Sequence, residues 1–140
     1  MGTSKASARW EGSLKEGRGN MKPENGGEVP FSLGTRFEGQ KGSNPEEMIG
    51  AALAGCYSMA LTGALGRAGL SPQSVSTTAA VVLDKVEGGF GITRIELETV
   101  AKVPGVEAAQ FQTIAEETKK TCPVSKALAG TSISLRARLE

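Results

Sequence analysis

The stretch SNPEEMIGAALAGCYSMALTGALGRAG, residues 43–69, decides the fold because it predicts one long helix. Ser43 or Asn44 can cap its start, Pro45 suits the first turn, and the two acids that follow suit the positive end of the helix. The helix is expected to run for about 23 residues to a stop at Gly69. Its residues are apolar nearly all round the axis, which favours a position inside the fold.

Part of the same stretch, residues 48–66, carries no charge and would be just long enough to cross a bilayer as a helix. Six of these nineteen residues are Gly, Ser or Thr, which weakens partitioning into lipid. A buried helix of a soluble protein is therefore favoured, with no membrane as a partner. The first residues show no apolar segment of signal-peptide length, so we expect a cytoplasmic protein.

The segments on either side of this helix predict a single α+β domain over residues 1–140, with helices packed against an antiparallel sheet. Before the helix, short strands are expected at 6–12 and 13–18, and a mobile Pro/Gly-rich loop at 20–30. After it, the pattern predicts a hairpin of strands at 77–86 and 90–103, an amphipathic helix at 105–120 with Phe111, Ile114 and Ala115 on one stripe, a short helix within 121–130, and an alternating strand at 132–139.

Composition excludes several classes of function. The chain has 140 residues, 16 Lys and Arg against 15 Asp and Glu, and a net charge of +1, so nucleic acid is not an expected partner. It has no histidine, which excludes catalytic Ser-His-Asp and Cys-His sets and every histidine-ligated metal site. Covalent chemistry must therefore depend on sulfur, carboxylate, lysine or arginine.

Two cysteines, Cys56 and Cys122, carry the remaining chemistry. In a reducing cytosol they are either inert thiols or a pair that cycles between thiol and disulfide. Cys56 lies within the apolar helix, where burial alone would raise its pKa and leave it unreactive. Cys122 precedes a helix-starting proline, a place that favours the thiolate, so these arguments rank it as the more reactive. Sequence spacing does not establish whether the two meet.

The run NPEEMIGAALAGCYSMAL, with TRFEG before it and KKTCPVSKAL near the end, resembles the OsmC family of osmotically inducible peroxidases, which are relatives of the organic hydroperoxide resistance proteins. The resemblance covers essentially the whole chain. It implies an α+β fold in which antiparallel sheets pack around a long central helix. It also implies an intertwined homodimer with two active sites where the subunits meet.

The activity that the resemblance implies is the thiol-dependent reduction of organic hydroperoxides, and more weakly of hydrogen peroxide, in oxidative and osmotic stress defence. No haem, flavin or metal cofactor is implied. Cys56 would attack the peroxide and become a sulfenic acid, and Cys122 would resolve it by forming a disulfide. An external dithiol, such as a lipoyl group on a carrier protein, would then restore both thiols.

The resemblance also assigns Arg36 of TRFEG to stabilise the Cys56 thiolate and Glu46 of NPEE to hold the guanidinium. Without it, Arg36 would be read as a solvated loop charge and Glu46 and Glu47 as first-turn acids. Helical geometry puts Glu46 roughly 80° round the axis from Cys56 and Glu47 on the opposite face, which favours Glu46.

A straight helix would separate Glu46 from Cys56 by about 15 Å of rise, which is too far for contact. Glu46 would therefore act through Arg36, after a bend at Gly50 or Gly55, or across the dimer, and these alternatives stay open. Where related proteins often have a histidine before the peroxidatic cysteine, this chain has Leu53.

A different class of function also fits the sequence. A domain of the same fold could sense redox state through its cysteines, or bind a small ligand in an apolar pocket, without catalysis. Negligible peroxidase activity with every dithiol tested would identify this alternative. The preferred peroxide is not revealed by the sequence: Tyr57, Met59, Phe90 and Phe111 could line a substrate pocket, although core packing is the more common use of such residues.

Overall fold

The computed structural model describes residues 2–140, which fall into two compact units, one ending at Met48 and the other running from Ile49 to Glu140. The elements in chain order are β1 (Ala6–Glu11), β2 (Arg18–Pro23), β3 (Val29–Phe31), α1 (Leu33–Phe37), α2 (Pro45–Arg67), β4 (Ser74–Val86), β5 (Gly89–Lys102), α3 (Ala108–Thr121), α4 (Pro123–Ala127) and β6 (Ser132–Leu139). The α+β class is confirmed, with two three-stranded sheets.

The first unit contains an antiparallel sheet in the order β1-β2-β3, followed by the short helix α1. The strand predicted over residues 13–18 is wrong, because this segment is the turn between β1 and β2. The Gly17 amide donates to the Ser13 carbonyl at 2.8 Å, and a side chain at Gly17 would collide with two carbonyl oxygens. Of the loop predicted over residues 20–30, residues 24–28 are confirmed as the connection between β2 and β3, whereas residues 20–23 belong to β2 and residues 29–30 to β3.

Helix α2 confirms the prediction at both ends. The Asn44 side-chain oxygen accepts a hydrogen bond from the Glu47 amide at 2.8 Å, so Asn44 caps the helix. The helix has 23 residues and ends at Arg67. Gly69 follows with φ of +84°, a conformation that glycine adopts without strain.

Only one face of α2 is buried within the single subunit. Its buried apolar side chains recur every four residues, at Leu53, Tyr57, Leu61 and Leu65. Met59, which faces away from them, is 80% exposed. The expectation of burial on all sides is therefore wrong for the single chain, because the exposed face of the helix is also apolar.

By length and composition α2 could also cross a membrane, with a mean hydropathy of 1.5 in its most apolar window. Of that window, 28% is buried inside the subunit. Core helices of soluble proteins share this length and composition, so the expectation that the chain has no membrane partner stays a prediction.

In the second unit, strands β4 and β5 form the predicted antiparallel hairpin, and β6 extends the sheet on the far side of β5. The prediction that the sheets are antiparallel is wrong for this pair, since β6 runs parallel to β5, with Leu97 opposite Leu135. A parallel pair needs a long crossover, which α3 and α4 supply between the two strands. Polar and apolar residues alternate along β6 in the same way whether the strand runs parallel or antiparallel to its neighbour, so the sequence pattern does not reveal the strand direction.

The core of this second unit lies between the sheet and helices α2 and α3. Phe111 and Ala115 of the predicted stripe are fully buried and Ile114 packs against the core. The Tyr57 hydroxyl donates to the Ala115 carbonyl at 2.9 Å, and burial raises its pKa, so it stays protonated as the donor. The middle of α2 is therefore fixed to α3 by both packing and a buried hydrogen bond.

Candidate active site

The two cysteines meet in the second unit, although 66 positions separate them in the chain. Their sulfurs are 3.0 Å apart, and both cysteines are free thiols. Cys56 projects from the middle of α2 and is partly exposed, whereas Cys122 is fully buried. A disulfide needs a sulfur separation near 2.05 Å, so a displacement of about 1 Å would join them.

Cys122 is held at the junction of two helices. It ends α3, where its amide donates to the Thr118 carbonyl at 2.9 Å. It also precedes α4, where its carbonyl accepts from the Lys126 amide at 3.0 Å and Pro123 occupies the first helical position. Backbone bonds on both sides thus fix the sulfur in front of α2.

The pKa values of the two thiols are shifted in opposite directions. Burial and the hydrogen bond with Cys122 raise the pKa of Cys56, against a smaller lowering by the Val124 amide. Burial also acts to raise the pKa of Cys122, but the hydrogen bond with Cys56, the amides of Ser125 and Val124 and the nearby Ser125 hydroxyl outweigh it and lower that pKa. Cys122 therefore loses its proton before Cys56, in line with the ranking from its helix-start position.

The other two predicted residues, Arg36 and Glu46, meet in the first unit. Arg36 Nη2 and Nε donate to Glu46 Oε1 at 2.7 and 3.1 Å, and Nε also reaches Oε2 at 3.3 Å. The Glu46 side chain is 8% exposed and that of Arg36 is 36% exposed. A buried carboxylate that binds two of the guanidinium nitrogens fixes the direction of the arginine, whose third nitrogen, Nη1, takes no part in the pair.

Local structure explains why Glu46 and not Glu47 meets the arginine. Arg36 lies in α1, which starts with a reciprocal cap between Ser32 and Thr35. Glu47 is exposed and accepts a hydrogen bond from the Ser43 hydroxyl at 2.8 Å. The sequence argument for Glu46 over Glu47 thus agrees with the observed ion pair.

Similarity to known proteins identifies the family. A sequence model described as OsmC-like protein matches residues 38–136. Peroxiredoxin OsmC of Escherichia coli strain K12 is 51% identical over 126 residues, covering 89% of this chain and 88% of that protein. This chain belongs to the OsmC-like family. An organic hydroperoxide resistance protein of Xanthomonas axonopodis pv. citri is 34% identical over 93 residues, covering 66% and 63% of the two chains.

Solved structures of the OsmC-like fold agree with this assignment. An organic hydroperoxide resistance protein from Elizabethkingia anophelis has a TM-score of 0.73 at 26% identity, covering 100% of this chain and 96% of that one. An OsmC-like protein from Mycoplasma pneumoniae has a TM-score of 0.76, covering 99% and 97% of the two chains. Its identity is 15%, so it supports the fold alone.

One feature of this OsmC-like chain was missed by the sequence analysis. A cavity of about 170 Å³ beside Arg36 is lined by side chains of the first unit, namely Trp10, Leu14, Phe31, Ser32, Leu33, Arg36 and Phe37. The Trp10 and Phe31 rings pack 5.5 Å apart, and the Arg36 guanidinium carbon lies 5.2 Å from the Phe37 ring centroid. Aromatic residues beside the TRFEG motif were the available signal.

The remaining predicted residues have simpler placements. Leu53 is fully buried in the core, as are Tyr57 and Phe111, while Phe90 is 56% exposed. Among residues 2–140 no group of three or more His, Cys, Asp or Glu side chains could hold a metal ion. The expectation of a cofactor-free mechanism stays a prediction.

Proposed function

We propose that this OsmC-like chain is a cysteine-based peroxidase that reduces organic hydroperoxides, and more weakly hydrogen peroxide, to alcohols or water. The observation that carries the proposal is the pair of free thiols 3.0 Å apart, one partly exposed and one buried. A peroxide can approach the partly exposed Cys56, and the buried Cys122 sulfur is close enough to attack the sulfenic acid that forms there.

The Cys56 thiolate attacks the outer peroxide oxygen and the O–O bond breaks. The leaving alkoxide takes a proton and departs as the alcohol, and Cys56 becomes a sulfenic acid. The Cys122 sulfur then attacks the Cys56 sulfur and forms a disulfide, while the hydroxyl leaves as water. A dithiol, such as a lipoyl group on a carrier protein, supplies two electrons and restores both thiols.

Arg36 and Glu46 are assigned to activate the peroxidatic cysteine. Burial raises the pKa of Cys56, so the thiolate needs a cation to form near neutral pH. Arg36 supplies that charge and donates to the peroxide oxygens, and Glu46 is a positioning residue that holds the guanidinium. The bidentate contact with a buried carboxylate supports this division of roles.

The working form is an intertwined homodimer in which α2 is central and the active sites lie where the subunits meet. The uncovered apolar face of α2 supports this, since Ala51, Ala52, Gly55 and Met59 are exposed in the single subunit. Exposed apolar patches of this kind mark interaction sites. We place the dimer in the cytoplasm, in defence against oxidative and osmotic stress.

The test is consumption of cumene hydroperoxide with dihydrolipoamide as the donor, in the wild type and two cysteine variants. Cys56→Ser is expected to abolish turnover because it lacks the attacking sulfur. Cys122→Ser should allow one reaction with peroxide and then stop, with a sulfenic acid on Cys56 that dimedone traps and mass spectrometry locates. Unchanged turnover in Cys56→Ser would falsify the proposal.

The same experiment separates catalysis from sensing or ligand binding. A sensor would form the disulfide on exposure to peroxide, but would show negligible steady-state turnover with dihydrolipoamide, dithiothreitol or any other dithiol.

A further inference from the structure

The Ser125 hydroxyl is a buried donor without an evident role in the fold. Ser125 is 5% exposed, and its Oγ is the buried side-chain polar atom without a hydrogen-bond partner among residues 2–140. An unpaired buried hydroxyl lowers stability, and native structures contain few of them. The hydroxyl is therefore expected to find its partner in another state of the site.

The position of Ser125 points to the Cys122 sulfur as that partner. Ser125 is the third residue of α4, and Cys122 directly precedes the helix. A side chain at the third position of a helix reaches back toward the capping residue. The Ser125 hydroxyl lies close enough to the thiol to lower the pKa of Cys122, as do the amides of Ser125 and Val124, although it makes no hydrogen bond with the sulfur in the reduced state.

The two cysteines also differ in solvent exposure. Cys122 is 0% exposed, so an external thiol meets the protein at the partly exposed Cys56. In thiol–disulfide exchange the sulfur that leaves as the more stable thiolate departs faster. Access and leaving-group stability therefore select the same direction for opening a Cys56–Cys122 disulfide.

We propose that the Ser125 hydroxyl donates a hydrogen bond to the Cys122 sulfur as it leaves, so that an external dithiol opens the disulfide at Cys56. The inference rests on the proposed peroxidase cycle and concerns its reductive half. Ser125 is then a catalytic residue, since its hydroxyl touches a reacting atom.

The step balances without a further reactant. A thiolate of the dithiol forms a bond to the Cys56 sulfur, the Cys56–Cys122 bond breaks, and its electron pair stays on Cys122 as a thiolate. The second thiol of the donor gives up its proton and attacks the donor's first sulfur, so that the bond from this sulfur to Cys56 breaks and Cys56 leaves as a thiolate. The donor leaves as a cyclic disulfide, having supplied two electrons, and both cysteines end as thiols after protonation by solvent.

The experiment follows the reductive step by itself. Wild type and Ser125→Ala are oxidised to the disulfide with diamide, which involves no peroxide, and then mixed with 2-mercaptoethanol. Acid quenching and peptide mass mapping locate the adduct, which is expected on Cys56 in the wild type. With dihydrolipoamide, the reduction rate of Ser125→Ala is expected to fall about three- to tenfold.

Thr121→Ala is the matched control. It removes a hydroxyl from the residue next to Cys122, but this hydroxyl is exposed and donates to the Glu117 carbonyl. Its reduction rate should equal that of the wild type. A second readout is thiolate absorbance in Cys56→Ser against Cys56→Ser/Ser125→Ala, where loss of the hydroxyl should move Cys122 ionisation to higher pH.

An adduct on Cys122, an unchanged rate in Ser125→Ala, or a slower rate without a change in Cys122 ionisation would each overturn the inference. None of these outcomes bears on the oxidative half. If the protein fails to consume hydroperoxide yet opens at Cys56 in a Ser125-dependent way, the peroxidase proposal falls and the role of Ser125 stands.

Discussion

The pKa of Cys56 is raised and that of Cys122 is lowered, although their sulfurs are only 3.0 Å apart. Within the pair, the proton that remains after the first ionisation is held by Cys56, and Cys122 carries the charge. This order suits a leaving group but not a peroxidatic nucleophile. The nucleophile needs a further positive charge, which is the role proposed for Arg36.

Arg36→Gln should move the pH dependence of the reaction with cumene hydroperoxide to higher pH. If Arg36 stabilises the thiolate as proposed, its loss raises the pKa of the Cys56 thiol, so the rate at pH 7 should fall about tenfold or more and recover as the pH rises. Stopped-flow measurement of Cys56 oxidation from pH 5 to 10 provides the profile. Arg67→Gln, which changes an exposed residue at the end of α2, is the control and should keep the wild-type pH profile. If Arg36→Gln leaves the pH profile of Cys56 oxidation unchanged, the proposed role of Arg36 is wrong.

Glu46→Gln should weaken the alignment of Arg36 without removing its charge. The amide keeps one acceptor but loses the charge-assisted pair, so kcat/KM for hydroperoxide should drop about tenfold and the free energy of unfolding by about 1 kcal/mol. Glu47→Gln is the control in the same helical turn, and should change both quantities little. Equal effects of the two substitutions would mean that the first-turn charge matters and the ion pair does not.

At the scale of elements, α2 combines several roles in one helix. Its start carries Glu46, its middle carries Cys56, and its buried face supplies Leu53, Tyr57, Leu61 and Leu65 to the core. Helical stability is therefore linked to the geometry of the site, because fraying at the first turn would displace Glu46.

Asn44→Ala should destabilise the start of α2. The lost cap bond to the Glu47 amide is expected to lower the free energy of unfolding by about 1 kcal/mol, as measured by urea denaturation. Ser43→Ala removes only a side-chain contact with Glu47 at the surface and should change stability by less than about 0.5 kcal/mol. If Ser43→Ala were the more costly of the two, Ser43 would be the cap.

At the scale of the whole molecule, the fold of the single chain does not explain why one face of α2 is both apolar and exposed. Met59 is 80% exposed in the middle of an apolar helix. The proposed dimer covers this face and places the working site at the subunit interface.

Met59→Asp should therefore produce a monomer with at least tenfold lower hydroperoxide turnover, because a buried unpaired carboxylate opposes association. Light scattering coupled to size exclusion measures the mass, and circular dichroism checks that the subunit stays folded. Ala109→Asp adds the same charge at an exposed position of α3 and should remain dimeric and active. If Met59→Asp or Ala109→Asp were a fully active monomer, the active site would not be shared between subunits.

The sequence predicted elements with local signals and missed those without them. Asn44, Pro45 and Gly69 mark α2 to within a few residues, and the alternation of β5 marks its wet face. Helix α1 has five residues, too few for a hydrophobic period, and was not predicted. The parallel direction of β6 and the approach of Cys56 to Cys122 depend on the crossover through α3 and α4, which no local pattern encodes.

The 66-residue separation of the two cysteines has a consequence for the oxidised chain. A disulfide between them would close a loop that contains the β4–β5 hairpin and α3, and so restrict the unfolded chain. Loop-closure entropy for that length corresponds to about 4 kcal/mol of added stability. Each catalytic cycle would then alternate the chain between a cross-linked form that resists heat and proteases and a reduced form that yields to them sooner. Resistance to degradation would therefore rise when reductant is scarce and fall when it is plentiful.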